Sequence, residues 1–101
     1  MSQQRSIRHV VIRGRVQRVG FRAGVERTAV TDGLQGWVRN RSDGTVEAVF
    51  AGSPARVEAI LRACHEGPRS AQVEAVEELE SPPDDLARVR PGERFSVLPT
   101  F

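Results

Sequence analysis

Gly14-Arg15-Val16-Gln17-Arg18-Val19-Gly20-Phe21-Arg22 is the stretch of this sequence best suited to chemistry. It joins a β-branched run to an apolar-periodic one, and Gly14 and Gly20 let the chain turn closely. Backbone amides in a tight bend that leads into a helix point outward and favour an anion. The bend is neither a Walker loop, which ends in Gly-Lys-Ser/Thr, nor a dinucleotide fingerprint, which needs Gly-x-Gly-x-x-Gly. Arg22 is the oddity beside it. A cation in the first turn of a helix opposes the macrodipole, at a cost of roughly a few tenths of a kcal/mol or more. A bound phosphate would reverse that sign, and the planar guanidinium fork suits two phosphate oxygens at once. Taken alone, Arg22 is explained more simply by pairing with a carboxylate such as Glu26, one turn on. Asn40 is the second candidate. Its amide can both accept from and donate to a water, although Asn also suits the end of a strand before a turn.

The elements that would position these residues follow from the apolar pattern. Residues 7–13 are β-branched and read as a strand bounded by Gly14, and 15–20 form a loop. In 21–32, Phe21, Val25 and Ala29 fall on one stripe of a helix, with Gly33 as its stop. Residues 34–40 and 45–51 are strand-like, and Arg41-Ser42-Asp43-Gly44 between them suits a hairpin turn. Ser53 caps a second helix with Pro54 at its first position. Val57, Ile60, Leu61 and Cys64 form its buried face, and Gly67-Pro68 end it. Residues 71–79 make a fourth strand whose apolar phase shifts at Ala75-Val76, where a bulge or twist is expected. Residues 81–85 and 90–92 connect around a short turn to a final strand over 94–98.

The order is β-α-β-β-α-β with one strand appended. It predicts an α+β, ferredoxin-like α/β sandwich: one mostly antiparallel sheet with two helices on one face. With the inner strands of such a fold adjacent, the end of the second strand shares an edge with the loop over 15–20. The fold alone names no function.

A chain of 101 residues, 39% hydrophobic, suffices for one domain over 1–101, with residues 1–6 expected to be flexible. No apolar run is long enough to suggest a membrane span, and the first residues do not read as a signal peptide. Lone Cys64 excludes an internal disulfide and suits a reducing compartment. A soluble, cytoplasmic monomer is expected. The net charge is +2 with no lysine, and the pI of about 9.9 reflects the arginines, which hold their protons. That charge is compatible with a small anionic ligand and too weak to argue for nucleic acid.

GRVQRVGFR, followed by GWVRN and then DGTVEAVFAG, resembles the acylphosphatase family, with its Gly-x-Val-Gln-x-Val-x-Phe-Arg loop and Gly-Trp-Val-x-Asn strand. The similarity spans essentially the whole chain, in order. It implies an α/β sandwich that hydrolyses acyl phosphates, carboxyl–phosphate anhydrides, to a carboxylate and phosphate without a cofactor. By position, Arg22 matches the family's catalytic arginine and Asn40 its catalytic asparagine. The amides of Arg15, Val16, Gln17, Arg18, Val19, Gly20 and Phe21 would cradle the phosphate. The sequence departs at Arg41-Ser42, where some relatives have Thr directly after the asparagine, which bears on the stability of the turn.

The remaining residues offer no competing chemistry. His9 and His65 are isolated, and no carboxylates cluster at metal-ligand spacing, so no metal is expected. His9 alternates along a strand as a sheet-surface residue. Cys64 and His65 are helix neighbours pointing in different directions, with Cys64 in the core. Trp37, Phe50, Phe95 and Phe21 read as packing residues. An RNA-binding module would stack bases on aromatics of its inner strands, and residues 7–13 hold none. A phosphate-binding regulatory domain that kept the cradle without catalysis is the other alternative.

Overall fold

A computed structural model describes residues 5–79 and 85–101. The chain forms β1 (Ser6–Arg15), α1 (Phe21–Thr31), β2 (Gln35–Asn40), β3 (Val46–Gly52), α2 (Pro54–Glu66), β4 (Gln72–Leu79), a 3-10 turn over Asp85–Arg88 and β5 (Phe95–Val97). The strands lie in one sheet in the order β4-β1-β3-β2-β5. Every pairing is antiparallel except β2 with β5. The expected α+β arrangement is therefore present.

Phe21, Val25 and Ala29 of α1 and Val57, Ile60, Leu61 and Cys64 of α2 bury their stripes against one face of the sheet. Val10, Ile12, Val38, Val46, Ala48, Phe50 and Phe95 meet them there, one from every second strand position. Phe50 and Phe95 stack at 6.0 Å, which joins β5 to the core although it is only a short strand. The four aromatics expected to pack are all buried.

Four details differ from the sequence expectations. First, β1 does not stop at Gly14. The glycine takes φ 122° within the strand, where a Cβ would come within 2.1 Å of the Gln72 carbonyl oxygen. Second, the irregularity in β4 lies at Glu74 rather than Ala75-Val76: Arg13 faces Ala75 while Gly14 faces Val73. The extra residue lets Val73 and Val76 both reach the core, a spacing of three that a regular strand forbids. Third, Ser6 is not frayed but paired with Gly52; of the rest of the segment expected to be flexible, Arg5 is exposed and outside any element, and 1–4 lie outside the described residues. So do 81–84 of the expected connecting segment. Fourth, β5 is shorter than 94–98, yet Gly36 N–H donates to the Arg94 carbonyl and Leu98 N–H to that of Val38. The ladder thus continues past both ends of the strand.

The other face of the sheet carries a buried charge network. Arg39 and Glu47 are paired across β2 and β3, each 7% exposed. Arg39 Nε donates to Glu47 Oε1 at 2.8 Å, and His9 Nε2 donates to Glu47 Oε2 at 2.7 Å. His9 is therefore neither isolated nor a simple surface residue. The Arg39 guanidinium lies 4.8 Å from the Trp37 ring and 4.1 Å from that of Phe101, so two aromatic rings share the cation. Burial pushes the Glu47 carboxyl up, but the hydrogen bonds from His9 and Arg39 outweigh it and hold the group below the usual carboxylate range.

Candidate active site

β1 and β2 both run antiparallel to β3, so their C-terminal ends emerge at the same edge of the sheet. There β1 releases the bend over 16–20, and β2 delivers Asn40. Val16 and Phe21, both buried, pin the two ends of the bend into the core. Between them Arg18 takes φ 62° and Gly20 φ 83°; Arg18 is the one non-glycine residue at positive φ among the described residues. Left-handed residues in a bend turn successive amides toward one concavity. Among the described residues, the amides of Gln17, Arg18, Val19 and Gly20 donate to no acceptor.

The two helix starts are unlike. Ser53 Oγ accepts from Arg56 N–H at 3.4 Å and caps α2. α1 begins at Gly20 with no side-chain cap and no acidic residue in its first turn. Its first amides and the positive end of its dipole thus open onto the bend.

A cleft of about 320 Å³ lies at this point, lined by Val16, Arg18, Gly20, Phe21, Arg22, Ala23, Glu26, Asn40 and Val97. Arg22 and Asn40, eighteen positions apart in sequence, thus share one cavity. Among the described residues Arg22 forms no ion pair with Glu26 or any other carboxylate, so the simpler explanation for it does not apply. Asn40 Oδ1 is buried and has no hydrogen-bond partner among them. A buried acceptor left in that state costs about 1–3 kcal/mol, which suits a group kept for a ligand. The cleft can hold an anion against amides and a guanidinium, with Asn40 in the same lining.

Arg15, Gln17 and Val19 do not line the cleft. Arg15 ends β1 opposite Gln72, and its guanidinium donates to the Ser70 carbonyl at 3.4 Å. Val19 packs against the core, and its carbonyl accepts from Ser70 Oγ at 3.2 Å. Gln17 turns its side chain to the hairpin, donating from Nε2 to the carbonyls of Arg41 at 2.7 Å and Thr45 at 2.8 Å.

The hairpin is firm despite Arg41-Ser42. Asp43 Oδ1 accepts from Thr45 Oγ1 at 2.6 Å and Thr45 N–H at 3.0 Å, which holds its carboxyl below the usual range. Arg41 N–H donates to the Thr45 carbonyl at 2.8 Å and closes the turn. Phe101 braces it from outside: its N–H donates to the Asn40 carbonyl at 3.0 Å, and its own carbonyl accepts from Ser42 N–H at 2.9 Å.

Reading the sequence alone missed the Gln17 side chain, the brace by Phe101 and the Arg39–Glu47 pair. Only the last left a signal, since the two opposite charges are equidistant from Asp43 at the turn. Among the described residues no group of three or more His, Cys, Asp or Glu side chains could hold a metal ion. Burial pushes the Cys64 thiol up to about 12, and His65 beside it is exposed, so the two make no nucleophile–base pair. No helix among the described residues is long and apolar enough to cross a membrane.

A family model described as acylphosphatase matches residues 8–95. An acylphosphatase of Bradyrhizobium diazoefficiens is 53% identical over 96 residues, covering 95% of this chain and 97% of the relative. One of a Synechococcus strain is 58% identical over 92 residues, with coverages of 91% and 92%. The solved structure of an acylphosphatase from Coxiella burnetii superposes with a TM-score of 0.77 at 33% identity and covers 93% of both chains.

Proposed function

The chain belongs to the acylphosphatase family, and from that premise we propose how its cleft does the family's work. The reaction is the hydrolysis of an acyl phosphate to a carboxylate and inorganic phosphate. Such a substrate is an activated anhydride whose leaving carboxylate needs no protonation at neutral pH. Catalysis then rests on positioning and on stabilising charge at the phosphoryl oxygens. Arg22 and the amides of the bend over 17–20 hold the phosphoryl group. Asn40 accepts a hydrogen bond from the attacking water and aims its oxygen at phosphorus. As the new P–O bond forms, the bond to the carboxylate oxygen breaks in line with it. Neither Arg22 nor Asn40 is a general base, so a phosphoryl oxygen takes the water's proton.

The observation that carries this reading is that Arg22 and Asn40 line one cleft with the bend, Arg22 having no ion pair, the amides over 17–20 no acceptor and the buried Asn40 Oδ1 no donor among the described residues. The charge these groups supply is what a metal would otherwise provide, so the reaction runs without one. The test is turnover of a simple aryl acyl phosphate. Wild type should hydrolyse it in the presence of chelator, with inorganic phosphate competing, and Arg22→Ala should be nearly inactive. An active Arg22→Ala removes Arg22 from the mechanism, and an enzyme killed by chelator removes the metal-free scheme.

The whole chain acts as one domain, since one sheet takes strands from both ends of it. A monomer in the cytoplasm is the matching state. The edge strand β4 carries Glu74, Glu77 and Glu78, which discourage edge-to-edge pairing, and buried Cys64 suits a reducing compartment. The modest charge favours a small substrate over nucleic acid.

A further inference from the structure

We propose that Gln17 is a positioning residue for Asn40, a role for its side chain that rests on the assignment of Asn40 to the attacking water. The two hydrogens of its amide are both used, on the Arg41 carbonyl at 2.7 Å and the Thr45 carbonyl at 2.8 Å. Those carbonyls flank Asn40 on both strands. Arg41 follows it directly, and Thr45 precedes Val46, its partner across the β2–β3 ladder. Among the described residues these are the hydrogen bonds that join the bend to the hairpin. The half-buried Gln17 side chain lies outside the cleft, so its effect on substrate must pass through the elements it ties together.

The consequence is a fixed distance between the two halves of the site. The bend and Arg22 grip the phosphoryl group from the β1 side, while Asn40 holds water from the β2 side. In-line attack tolerates little error between them, and a misplacement of about 1 Å can cost on the order of 10²-fold in rate. Phosphate affinity depends on the bend and Arg22 alone. Loss of the Gln17 tether should therefore strike turnover and spare phosphate binding.

A double-mutant cycle with Asn40 provides the test, reading kcat, KM and the inhibition constant of inorganic phosphate, with thermal unfolding alongside. Gln17→Ala should lower kcat by about 10- to 100-fold, while the phosphate inhibition constant moves by less than about threefold. In an Asn40→Ala background the same change should lower kcat by less than about threefold, because the residue it acts through is gone. The isosteric Gln17→Glu gives a second probe, and carries the test if Gln17→Ala does not fold. Its ionised carboxylate faces two carbonyl oxygens and should cost at least as much kcat as the alanine. It should recover in part when acid protonates it and restores one donor, a pH profile the wild type lacks. Losses that multiply in the double mutant, or a Gln17→Ala enzyme with wild-type kcat, overturn the proposal. A fully active Asn40→Ala instead overturns the underlying assignment of Asn40.

Discussion

Arg22 and Arg39 are the same side chain in opposite circumstances. Arg39 sits on the sheet face away from the helices, bonded to Glu47 at 2.8 Å and in cation–π contact with Trp37 and Phe101. Arg22 sits at the uncapped start of α1, facing a cleft, with no ion pair among the described residues. The contrast extends to their neighbours. Asn40 follows Arg39 on β2 and so points through the opposite face of the sheet, where its oxygen goes without a partner. A buried charge that is paired and hydrogen-bonded fixes a structure, while one side chain left uncommitted in a cavity stores binding capacity for something else. One strand thus serves both uses, by alternation alone.

Exchanging each arginine for lysine tests that contrast most severely. Arg22→Lys keeps the charge and loses the two-pronged grip. Its turnover should fall by on the order of 10³-fold, with thermal stability close to that of the wild type. Arg39→Lys should reverse the pattern, losing stability with turnover reduced by less than about tenfold. Paired kcat and melting measurements would decide, and a stable, inactive Arg39→Lys beside an active Arg22→Lys would invert the assignment.

The next effect is on the outer network. Glu47→Gln leaves the Arg39 charge buried without its counter-charge and should cost about 3 kcal/mol in urea unfolding. The pH dependence sharpens this. The Glu47 carboxyl lies below its ordinary value of 4.5 in the folded protein. Its stabilisation is therefore fully present above that ordinary value and is lost as pH falls through the lower, folded one. The acid limb of the wild-type stability curve should be steeper than that of Glu47→Gln, and parallel limbs would deny Glu47 this role. The smallest effect is expected at the bend. Arg18→Gly relieves a left-handed residue and should raise stability by up to about 1 kcal/mol, net of the entropy glycine adds to the unfolded chain. A loss of stability would mean that the Arg18 side chain repays its backbone.

Much of the fold could be read from spacing. The stripes of α1 and α2 and the hairpin between β2 and β3 are local, and local periodicity records which face is buried. The misreadings share a cause in pairing between distant strands. The phase shift in β4 was visible, but only its register against Arg13 and Gly14 locates the extra residue at Glu74. The same holds for the site. Arg22, Asn40 and the bend stand out by type and motif. Gln17 does not, because its partners are backbone carbonyls more than twenty residues away, and a carbonyl has no residue signature. His9 gives no hint of Glu47 until β1 lies beside β3.

The placement of β5 has a bearing on how the molecule comes into being. Val97 closes the cleft that Val16 opens, and on β2 the Gly36 N–H donates to the Arg94 carbonyl while the Val38 carbonyl accepts from Leu98 N–H, on either side of that last strand. The chain must therefore be synthesised as far as Leu98 and collapsed before a working pocket exists. Such distant closure is slow relative to helix formation. Partly made or partly refolded chains would carry both helices and still lack a finished place for substrate to bind.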